Sequence, residues 1–259
     1  MTVPPYVPGH GLLAGKVVVV TAAAGTGIGF STAKRALEEG ATVVVSDWHE
    51  RRLGESAAAL LEGRPGEPVL SVLCDVTQQD QVDRLVRQAV DAHGRIDVMV
   101  NNAGLGGTAP LVEMTDEQWT RVLDVTLNGT FRCTRAALQQ MKTQGYGVIV
   151  NNSSVIGWRA QEGQAHYAAA KAGVNALTRT AGVEGAKFGV RVNAVSPSIA
   201  MHPFLAKVTS DELLAELSAK EAFGRPAEPW EVANVIVFLA SDYSSYMTGE
   251  IVSVSSQHP

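Results

Sequence analysis

Short runs of β-branched and apolar residues alternate along this chain with longer stretches of helical periodicity. The short runs are continuously apolar, which is typical of parallel strands buried on both faces of a sheet. They predict strands at Lys16–Thr21, Ala41–Ser46, Val69–Cys74, Ile96–Asn101, Gly147–Asn152, Val190–Val195 and, shorter, near Glu250–Val254. The longer stretches predict helices at Gly27–Glu39, Glu50–Glu62, Gln78–Ala92, Asp116–Lys142, Gln164–Phe188 and about Glu228–Ser241. Repeated strand–helix units predict an α/β fold with a doubly wound, seven-stranded, mostly parallel sheet and helices on both faces.

Capping residues mark several of the predicted helix boundaries. Thr77 and Thr115 each precede a polar first turn, so both are expected to be N-caps. Gly40 and Gly94 stand where glycines commonly end a helix.

The chain contains no linker, repeat or low-complexity tract that would divide its 259 residues. Residues 1–12 are rich in proline and glycine and predict a flexible surface arm. Residues 13–259 are expected to form one domain, with a less regular insertion at about 198–225 that can cover a substrate. Within it, Leu213, Leu214 and Leu217 recur at helical spacing.

Composition excludes several classes of function. A formal net charge of −5 argues against a nucleic-acid partner, because binding to phosphates needs a basic face. There is no run of 18 apolar residues and no signal-peptide pattern, so no membrane association is expected. Cys74 and Cys133 lack metal-type spacing, and we expect no metal site but buried thiols in a reducing cytoplasm.

A glycine-rich turn joins the first predicted strand to the first helix. Glycines in such a turn let backbone amides approach a pyrophosphate at the helix N-terminus, so the predicted cofactor contacts are Gly25, Thr26, Gly27, Ile28 and Gly29. Asp47 ends the second strand, where a carboxylate can bind the adenosine ribose hydroxyls and repel a 2′-phosphate. Asp47 therefore indicates NAD rather than NADP as the cofactor. Arg51 and Arg52 follow it closely and weaken this indication.

Candidate proton-transfer residues lie after the fifth strand. Tyr167 and Lys171 are four residues apart in a helical pattern and share one face. A nearby ammonium favours the phenolate, so Lys171 is expected to lower the tyrosine pKa and make Tyr167 a proton shuttle. Ser154 follows the fifth strand at the edge where doubly wound folds bind their ligands.

Taken together, these motifs resemble the short-chain dehydrogenase/reductase family. Ser154, Tyr167 and Lys171 have the family's spacing, and Asn101-Asn-Ala-Gly104 follows the fourth strand. The resemblance runs from about Leu13 to Val254 and implies a Rossmann fold. It also implies an NAD(P)-dependent enzyme that interconverts a secondary alcohol and a ketone. Tyr167 would transfer the proton, Lys171 would hold the nicotinamide ribose, and Ser154 would bind the substrate oxygen. Further implied cofactor contacts are Asp75, Val76, Asn102, Ala103, Gly104, Pro197 and Ala200.

The general similarity is to the 3-oxoacyl reductase branch of the family. More closely, the segments TAAAGTGIG, GWRAQ and AVSPSIA resemble bacterial reductases of steroid C/D-ring degradation that act on CoA-linked substrates. A sugar or polyol dehydrogenase would share every catalytic residue and stays open at this point. A non-catalytic nucleotide sensor is a third alternative, but such a relative is expected to lack the tyrosine or the lysine.

The sequence departs from the family pattern in four places. The first turn is one residue longer and carries alanines where the first glycine is expected. Thr126 occupies the position of the family's catalytic asparagine, and its hydroxyl is a doubtful substitute. His202 stands in the loop after the sixth strand, where it would either touch the cofactor or substrate or lie on the surface. The chain ends VSVSSQ in place of V-D-G-G, a change expected to affect assembly more than chemistry.

Three further positions have alternative interpretations. His166 is expected to be structural or exposed because it is rotated about 100° from Tyr167 on the helix. Trp158 and Arg159 would form either a pocket wall or a subunit contact. The resemblance also implies a homotetramer, formed by apolar residues of the two longest helices: Leu123, Leu127, Phe131, Val174 and Leu177.

Overall fold

A computed structural model describes residues 2–62, 69–201 and 211–257. Within these ranges the strands form one sheet of order β3-β2-β1-β4-β5-β6-β7, and every neighbouring pair is parallel. The strands are β1 Val17–Val20, β2 Thr42–Asp47, β3 Leu70–Leu73, β4 Val98–Asn101, β5 Gly147–Asn152, β6 Val190–Pro197 and β7 Ile251–Val254. The predicted α/β, doubly wound fold is confirmed, with a sheet that is parallel throughout.

The described helices lie on both faces of this sheet. They are α1 Ile28–Glu38, α2 Glu50–Leu60, α3 Gln79–His93, α4 Asp116–Leu123, α5 Gly129–Gln144, α6 Ala165–Ala186, α7 Asp211–Ala219 and α8 Pro229–Ala240. The prediction of one regular helix over Asp116–Lys142 is wrong, because a π-helical turn at Asp124–Asn128 separates α4 from α5. Such wide turns are frequent at functional sites.

Alternate residues of each strand pack against different helix layers. On one face, Val18 and Val20 of β1 pack in the hydrophobic cluster that includes Ala33 of α1 and Ile236 of α8. On the other face, Val19 packs in the cluster formed with α3, α5 and α6. Both faces of the sheet are buried under helices, which explains why the strand sequences are continuously apolar.

The predicted helix ends are mostly correct. Thr115 caps α4 in a capping box with Gln118, and Gly40 and Gly94 adopt positive φ angles of 84° and 77°. The prediction for Thr77 is wrong: its hydroxyl donates to Asp75 Oδ1 at 2.8 Å, and Gln78 is the N-cap of α3. An N-cap side chain has to accept from the first N–H groups of its helix, whereas the Thr77 hydroxyl is directed to the Asp75 carboxylate.

The N-terminal segment is tied to the end of α1, whereas its composition predicted a loose arm. The buried carboxylate of Glu39 accepts hydrogen bonds from His10 N at 2.8 Å and Leu12 N at 3.0 Å. Arg35 donates to the Pro8 carbonyl at 3.2 Å and pairs with Glu39 at 2.8 Å. A buried carboxylate needs such partners, and backbone amides of the arm supply them.

Two kinds of feature are absent from the described residues: a membrane-spanning helix and a metal-binding cluster. In residues 2–62, 69–201 and 211–257, no helix is long and apolar enough to cross a membrane. The same ranges contain no group of three or more His, Cys, Asp or Glu side chains that could hold a metal ion. Cys74 and Cys133 are buried free thiols, as predicted.

Candidate active site

The candidate site lies at the carboxyl edge of the sheet. Strands β1, β4, β5 and β6 are consecutive neighbours, so the residues that follow their ends stand side by side. These residues include Thr21, Asn102 and Ser154, and Pro197 stands beside them as the last residue of β6. The edge of the sheet therefore brings together the glycine-rich turn and the predicted proton-transfer residues.

The turn between β1 and α1 has the shape of an anion cradle. A Cβ atom on Gly29 would lie 2.4 Å from both the Ala22 carbonyl oxygen and Asn102 Nδ2, so only glycine fits there. Gly25 adopts a φ of 97°, and Gly27 begins α1 without a side-chain cap. The N–H groups of the first helical turn thus lack a side-chain acceptor, and such groups bind phosphates well.

Asn102 holds this turn in place. Its Nδ2 donates to the carbonyl oxygens of Thr21 and Ala22 at 3.2 and 3.0 Å. Thr21 Oγ1 in return accepts from the backbone N–H groups of Asn102 and Ala103 at 3.0 and 3.1 Å. Asn102 and Ala103, two of the residues predicted to line the cofactor, therefore fix the glycine-rich turn.

The two predicted adenosine-side aspartates are anchored by backbone and hydroxyl donors. Asp47 is buried, and its carboxylate accepts from Ala24 N at 3.3 Å and His49 N at 3.0 Å. Asp75 Oδ1 accepts from the amide and hydroxyl of Thr77. Val76 is buried against Gly129, where a Cβ atom would lie 2.7 Å from its Cγ2. A carboxylate has about four acceptor sites, so these bonds leave capacity for ribose hydroxyls.

The structure brings Ser154, Tyr167 and Lys171 together. The Ser154 hydroxyl hydrogen-bonds the Tyr167 phenol, and Lys171 Nζ lies 5.5 Å from the centre of the tyrosine ring. Lys171 Nζ donates to the backbone carbonyl of Asn152 at 2.5 Å. The three side chains therefore occupy one small volume beside the end of β5.

Burial dominates the electrostatics of this group. It raises the pKa of Tyr167 to about 12, an effect that the hydrogen bond from Ser154 partly offsets. It also lowers the pKa of Lys171 to about 7. Burial is the largest cause of the raised tyrosine pKa, and Lys171 is not among the causes, so its predicted lowering of that pKa stays a prediction. Tyr167 is therefore a protonated phenol at neutral pH.

Thr126 lies in the π-helical turn and is fully buried. Its Oγ1 donates to the Leu105 carbonyl at 3.0 Å and accepts from the Leu105 amide at 2.9 Å. Its own carbonyl accepts from Thr130 Oγ1 at 2.7 Å. A hydroxyl has one proton, so Thr126 has already donated it to the backbone of the loop after β4.

Glycines of that loop make room for the face of α6 that carries Tyr167 and Lys171. A Cβ atom on Gly104 would lie 3.5 Å from Lys171 Nζ, and one on Gly106 would lie 3.9 Å from the Tyr167 ring. A Cβ atom on Gly107 would lie 3.3 Å from Nε2 of the buried His166, whose pKa is lowered mainly by burial. His166 Nδ1 also accepts from the Tyr167 amide at 2.8 Å, which supports the structural interpretation of this histidine.

The remaining predicted positions lie near the end of β6. Pro197 ends that strand, and its carbonyl lies 3.5 Å from Ser154 Oγ, while Ala200 is buried and pairs with Ala227. Trp158 is 47% exposed, and Arg159 donates to Gln257 in the C-terminal tail. His202 lies outside the described residues.

The sequence did not single out Asn152, which joins both halves of the site. Its Nδ2 donates to Asn102 Oδ1 at 2.9 Å, and its backbone carbonyl accepts from Lys171. A signal was present in the sequence: Asn152 ends β5, and Asn102 immediately follows β4, the neighbouring parallel strand. Paired amides at matching strand ends are expected to meet across the sheet.

Comparison with known proteins defines the class. The family model described as enoyl-(acyl carrier protein) reductase matches residues 22–256. The chain belongs to the short-chain dehydrogenase/reductase family and is an NAD(P)-dependent oxidoreductase that interconverts secondary alcohols and ketones.

Individual relatives narrow the comparison. The chain is 64% identical over 257 residues, 99% of this chain and 98% of the relative, to a (5R,7aS)-5-hydroxy-7a-methyl-1-oxo-2,3,5,6,7,7a-hexahydro-1H-indene-carboxyl-CoA reductase of Mycobacterium tuberculosis. It is 43% identical over 242 residues, 93% of this chain and 97% of the relative, to a 3-oxoacyl-[acyl-carrier-protein] reductase of Thermotoga maritima. A crystal structure of a short chain dehydrogenase from Mycobacterium smegmatis is 59% identical, with a TM-score of 0.89 over 100% of this chain and 99% of that one.

Proposed function

We propose that this enzyme acts on a hydroxylated or oxo hexahydroindene carboxyl-CoA thioester, the two-ring remnant of a steroid C/D-ring system. The observation that carries the proposal is the 64% identity, over 257 residues, to a reductase named for that substrate. A shallow groove near Tyr167 is lined by Pro110, Leu111, Ala160, Gln161, Glu162, Gly163, Ala165 and Ala168, and its apolar members offer a surface for such a ring. Ala109 N donates to the Gly163 carbonyl at 2.9 Å and joins the two loops that form its walls.

The residues of the site have distinct roles in this reaction. A bound nicotinamide supplies or accepts the hydride. Ser154 binds the substrate oxygen, and Tyr167 gives that oxygen a proton or takes one from it. Because burial raises the pKa of Tyr167 to about 12, the phenol holds its proton at neutral pH, the form that reduction of a ketone needs. Lys171 lies next to Tyr167 and Gly104, where its amine can hold the nicotinamide ribose.

NAD is the preferred cofactor in this proposal. Asp47 would accept hydrogen bonds from the ribose hydroxyls and repel a 2′-phosphate. Arg51, which the sequence left as a possible phosphate ligand, instead pairs with Glu55 at 2.7 Å on the exposed side of α2. A reducing cytoplasm is the compartment in which the buried free thiols of Cys74 and Cys133 would persist.

A homotetramer is the proposed assembly, formed by the outer faces of α5 and α6. Phe131 is 42% exposed and Val183 is 69% exposed on these helices, and both are apolar. Two residues expected at the interface are instead used within the subunit: Val174 is fully buried, and Leu127 packs against Gly173. Light scattering at micromolar concentration tests the assembly, and a monomer contradicts it.

The substrate proposal is tested by turnover with the named CoA thioester, its free acid, acetoacetyl-CoA and a polyol panel, each with both cofactors. We expect the thioester to have the highest kcat/KM, and mass analysis of its product shows whether hydrogen is gained or lost. The free acid is the matched control for the CoA moiety. Efficient turnover of a polyol together with inactivity on both CoA esters would overturn the proposal.

A further inference from the structure

The C-terminal tail contacts three segments that surround the substrate side of the site. Ser198, just after Pro197, donates its amide to the carbonyl of Val254, the last residue of β7. Ala222, which follows α7, donates its amide to the Ser256 carbonyl at 3.2 Å. Arg159, five residues after Ser154, donates to the side chain and the backbone carbonyl of Gln257.

The contact with α7 is built around one buried carboxylate. Glu221 is 4% exposed. Its Oε2 accepts from the Ser256 amide at 3.2 Å and from the Ser256 hydroxyl at 2.7 Å, while its Oε1 accepts from Gln257 Nε2 at 2.8 Å. A buried carboxylate is costly without donors, so the tail and Glu221 hold each other in place.

Gln257 completes a continuous path from α7 to the loop of the catalytic serine. Its amide nitrogen donates to Glu221, and its amide oxygen accepts from Arg159. The Arg159 amide in turn donates to the Val155 carbonyl at 3.0 Å, in the turn that Ser154 caps. Gly157 of this turn sits directly on α6, since a Cβ atom there would lie 3.0 Å from the Lys171 carbonyl carbon.

We infer that Ser255–Gln257 is a positioning element for the substrate side of the active site, linking the base of α7 to the loop after Ser154 through Glu221, Gln257 and Arg159. The element bonds to the loop after Ser154 and to the segment after α7, so we expect it to act on substrate binding with little effect on nicotinamide binding. The replaced V-D-G-G ending therefore affects the active site, not only assembly.

The first test is Gln257→Ala, measured with the named CoA thioester. Loss of the link lets α7 and the Ser154 loop move independently. We expect the substrate KM to rise about tenfold while kcat stays within about threefold and the Kd for NADH is unchanged. Glu216→Gln, on the exposed side of α7, is the matched control and should leave all three values unchanged.

Exchanging the side chains of Glu221 and Gln257 distinguishes a positioning role from a general loss of folding. Gln257→Glu places a second carboxylate against Glu221 and should raise KM at least as much as Gln257→Ala. The double substitution Glu221→Gln with Gln257→Glu restores a donor–acceptor pair and keeps an acceptor for Arg159. We expect it to recover most of the lost affinity, and an additive loss would overturn the inference.

Hydrogen exchange tests the link without any substrate, so its result does not depend on the proposed function. In Gln257→Ala, amides of residues 211–222 and 155–161 should exchange faster, while those of β1 are unchanged. Faster exchange confined to residues 255–257 would overturn the inference. Poor turnover of the thioester by the wild type, with coupled exchange in both segments, would instead count only against the proposed substrate.

Discussion

The cofactor side and the substrate side of this site are held by different kinds of bonds. On the cofactor side, Asn102 and Thr21 bond to backbone groups at the ends of buried strands. On the substrate side, Glu221, Gln257 and Arg159 bond through side chains that belong to segments outside the sheet.

This difference indicates which residues of the site must stay constant and which can vary when the substrate changes. Backbone-directed bonds at a sheet edge preserve the cofactor turn and the positions of Tyr167 and Lys171, whatever the substrate is. Side-chain bonds between loops can be exchanged without disturbing the sheet. We therefore expect a change of substrate to need substitutions mainly on the substrate side.

The largest expected effect comes from the residue that both sides share. Tyr167→Phe removes the proton donor but keeps the ring, so turnover should fall at least about 10²- to 10⁴-fold, while folding and NADH binding persist. Steady-state rates and NADH fluorescence measure these effects. Tyr243→Phe, at a tyrosine that is 77% exposed, is the control. Near-normal turnover by Tyr167→Phe would remove this residue from the mechanism.

The pH dependence of the two directions should differ because the pKa of Tyr167 is raised to about 12. Oxidation needs the phenolate, whose fraction grows about tenfold per pH unit below that pKa, so kcat/KM for oxidation should rise between about pH 6 and pH 9. Reduction needs the phenol and should not rise over the same range. Rates in both directions check this, and an oxidation plateau near neutral pH would contradict it.

Ser154→Ala tests whether the hydrogen bond from Ser154 lowers the pKa of Tyr167. The hydrogen bond from Ser154 lowers the tyrosine pKa, so its loss should move the oxidation profile to still higher pH. The readout is a direct titration of the Tyr167 phenol by its ultraviolet absorbance in both proteins, because without a plateau a shifted rate profile cannot be told apart from a lower rate, and Ser154 is also proposed to bind substrate.

The difference between the two sides also limits what sequence can predict. The strands, the glycine turn and the grouping of Ser154, Tyr167 and Lys171 follow from periodicity and from residues at strand ends. The link through Gln257 does not, because it depends on side chains 98 positions apart whose segments lack a repeating pattern. The effect of burial on the pKa of Tyr167 was missed for a related reason: burial is set by the whole fold, whereas the four-residue spacing shows only the nearby lysine.

The preference for NAD over NADP should depend on the cofactor side of the site alone. With wild-type protein, kcat/KM should favour NAD over NADP about tenfold or more, equivalent to about 1.4 kcal/mol. Asp47→Asn keeps a side-chain acceptor but removes the charge, and it should narrow that gap. Arg51→Ala is the control, since Arg51 pairs with Glu55, and it should leave the ratio unchanged. An NADP preference in the wild type would contradict the role of Asp47.

The smallest expected effect concerns the alanine that replaces the first glycine of the cofactor turn. Ala22 has a φ of 50°, a left-handed conformation that costs a non-glycine residue about 1–2 kcal/mol. Glycine relieves this strain but gives up about 0.5–1 kcal/mol in chain entropy. Ala22→Gly should therefore raise the free energy of unfolding by up to about 1 kcal/mol, seen as a higher urea midpoint with an unchanged slope.

The neighbouring alanine provides the matched comparison for this substitution. Ala23 is fully buried and its φ is not positive, so Ala23→Gly relieves no strain and loses a packed methyl group. It should lower the urea midpoint, opposite in sign to Ala22→Gly. Equal losses from both substitutions would mean that the turn is not strained at Ala22. Opposite signs would mean that the enzyme retains a strained alanine where glycine is more stable, within a turn that Asn102 holds by the Ala22 carbonyl at 3.0 Å.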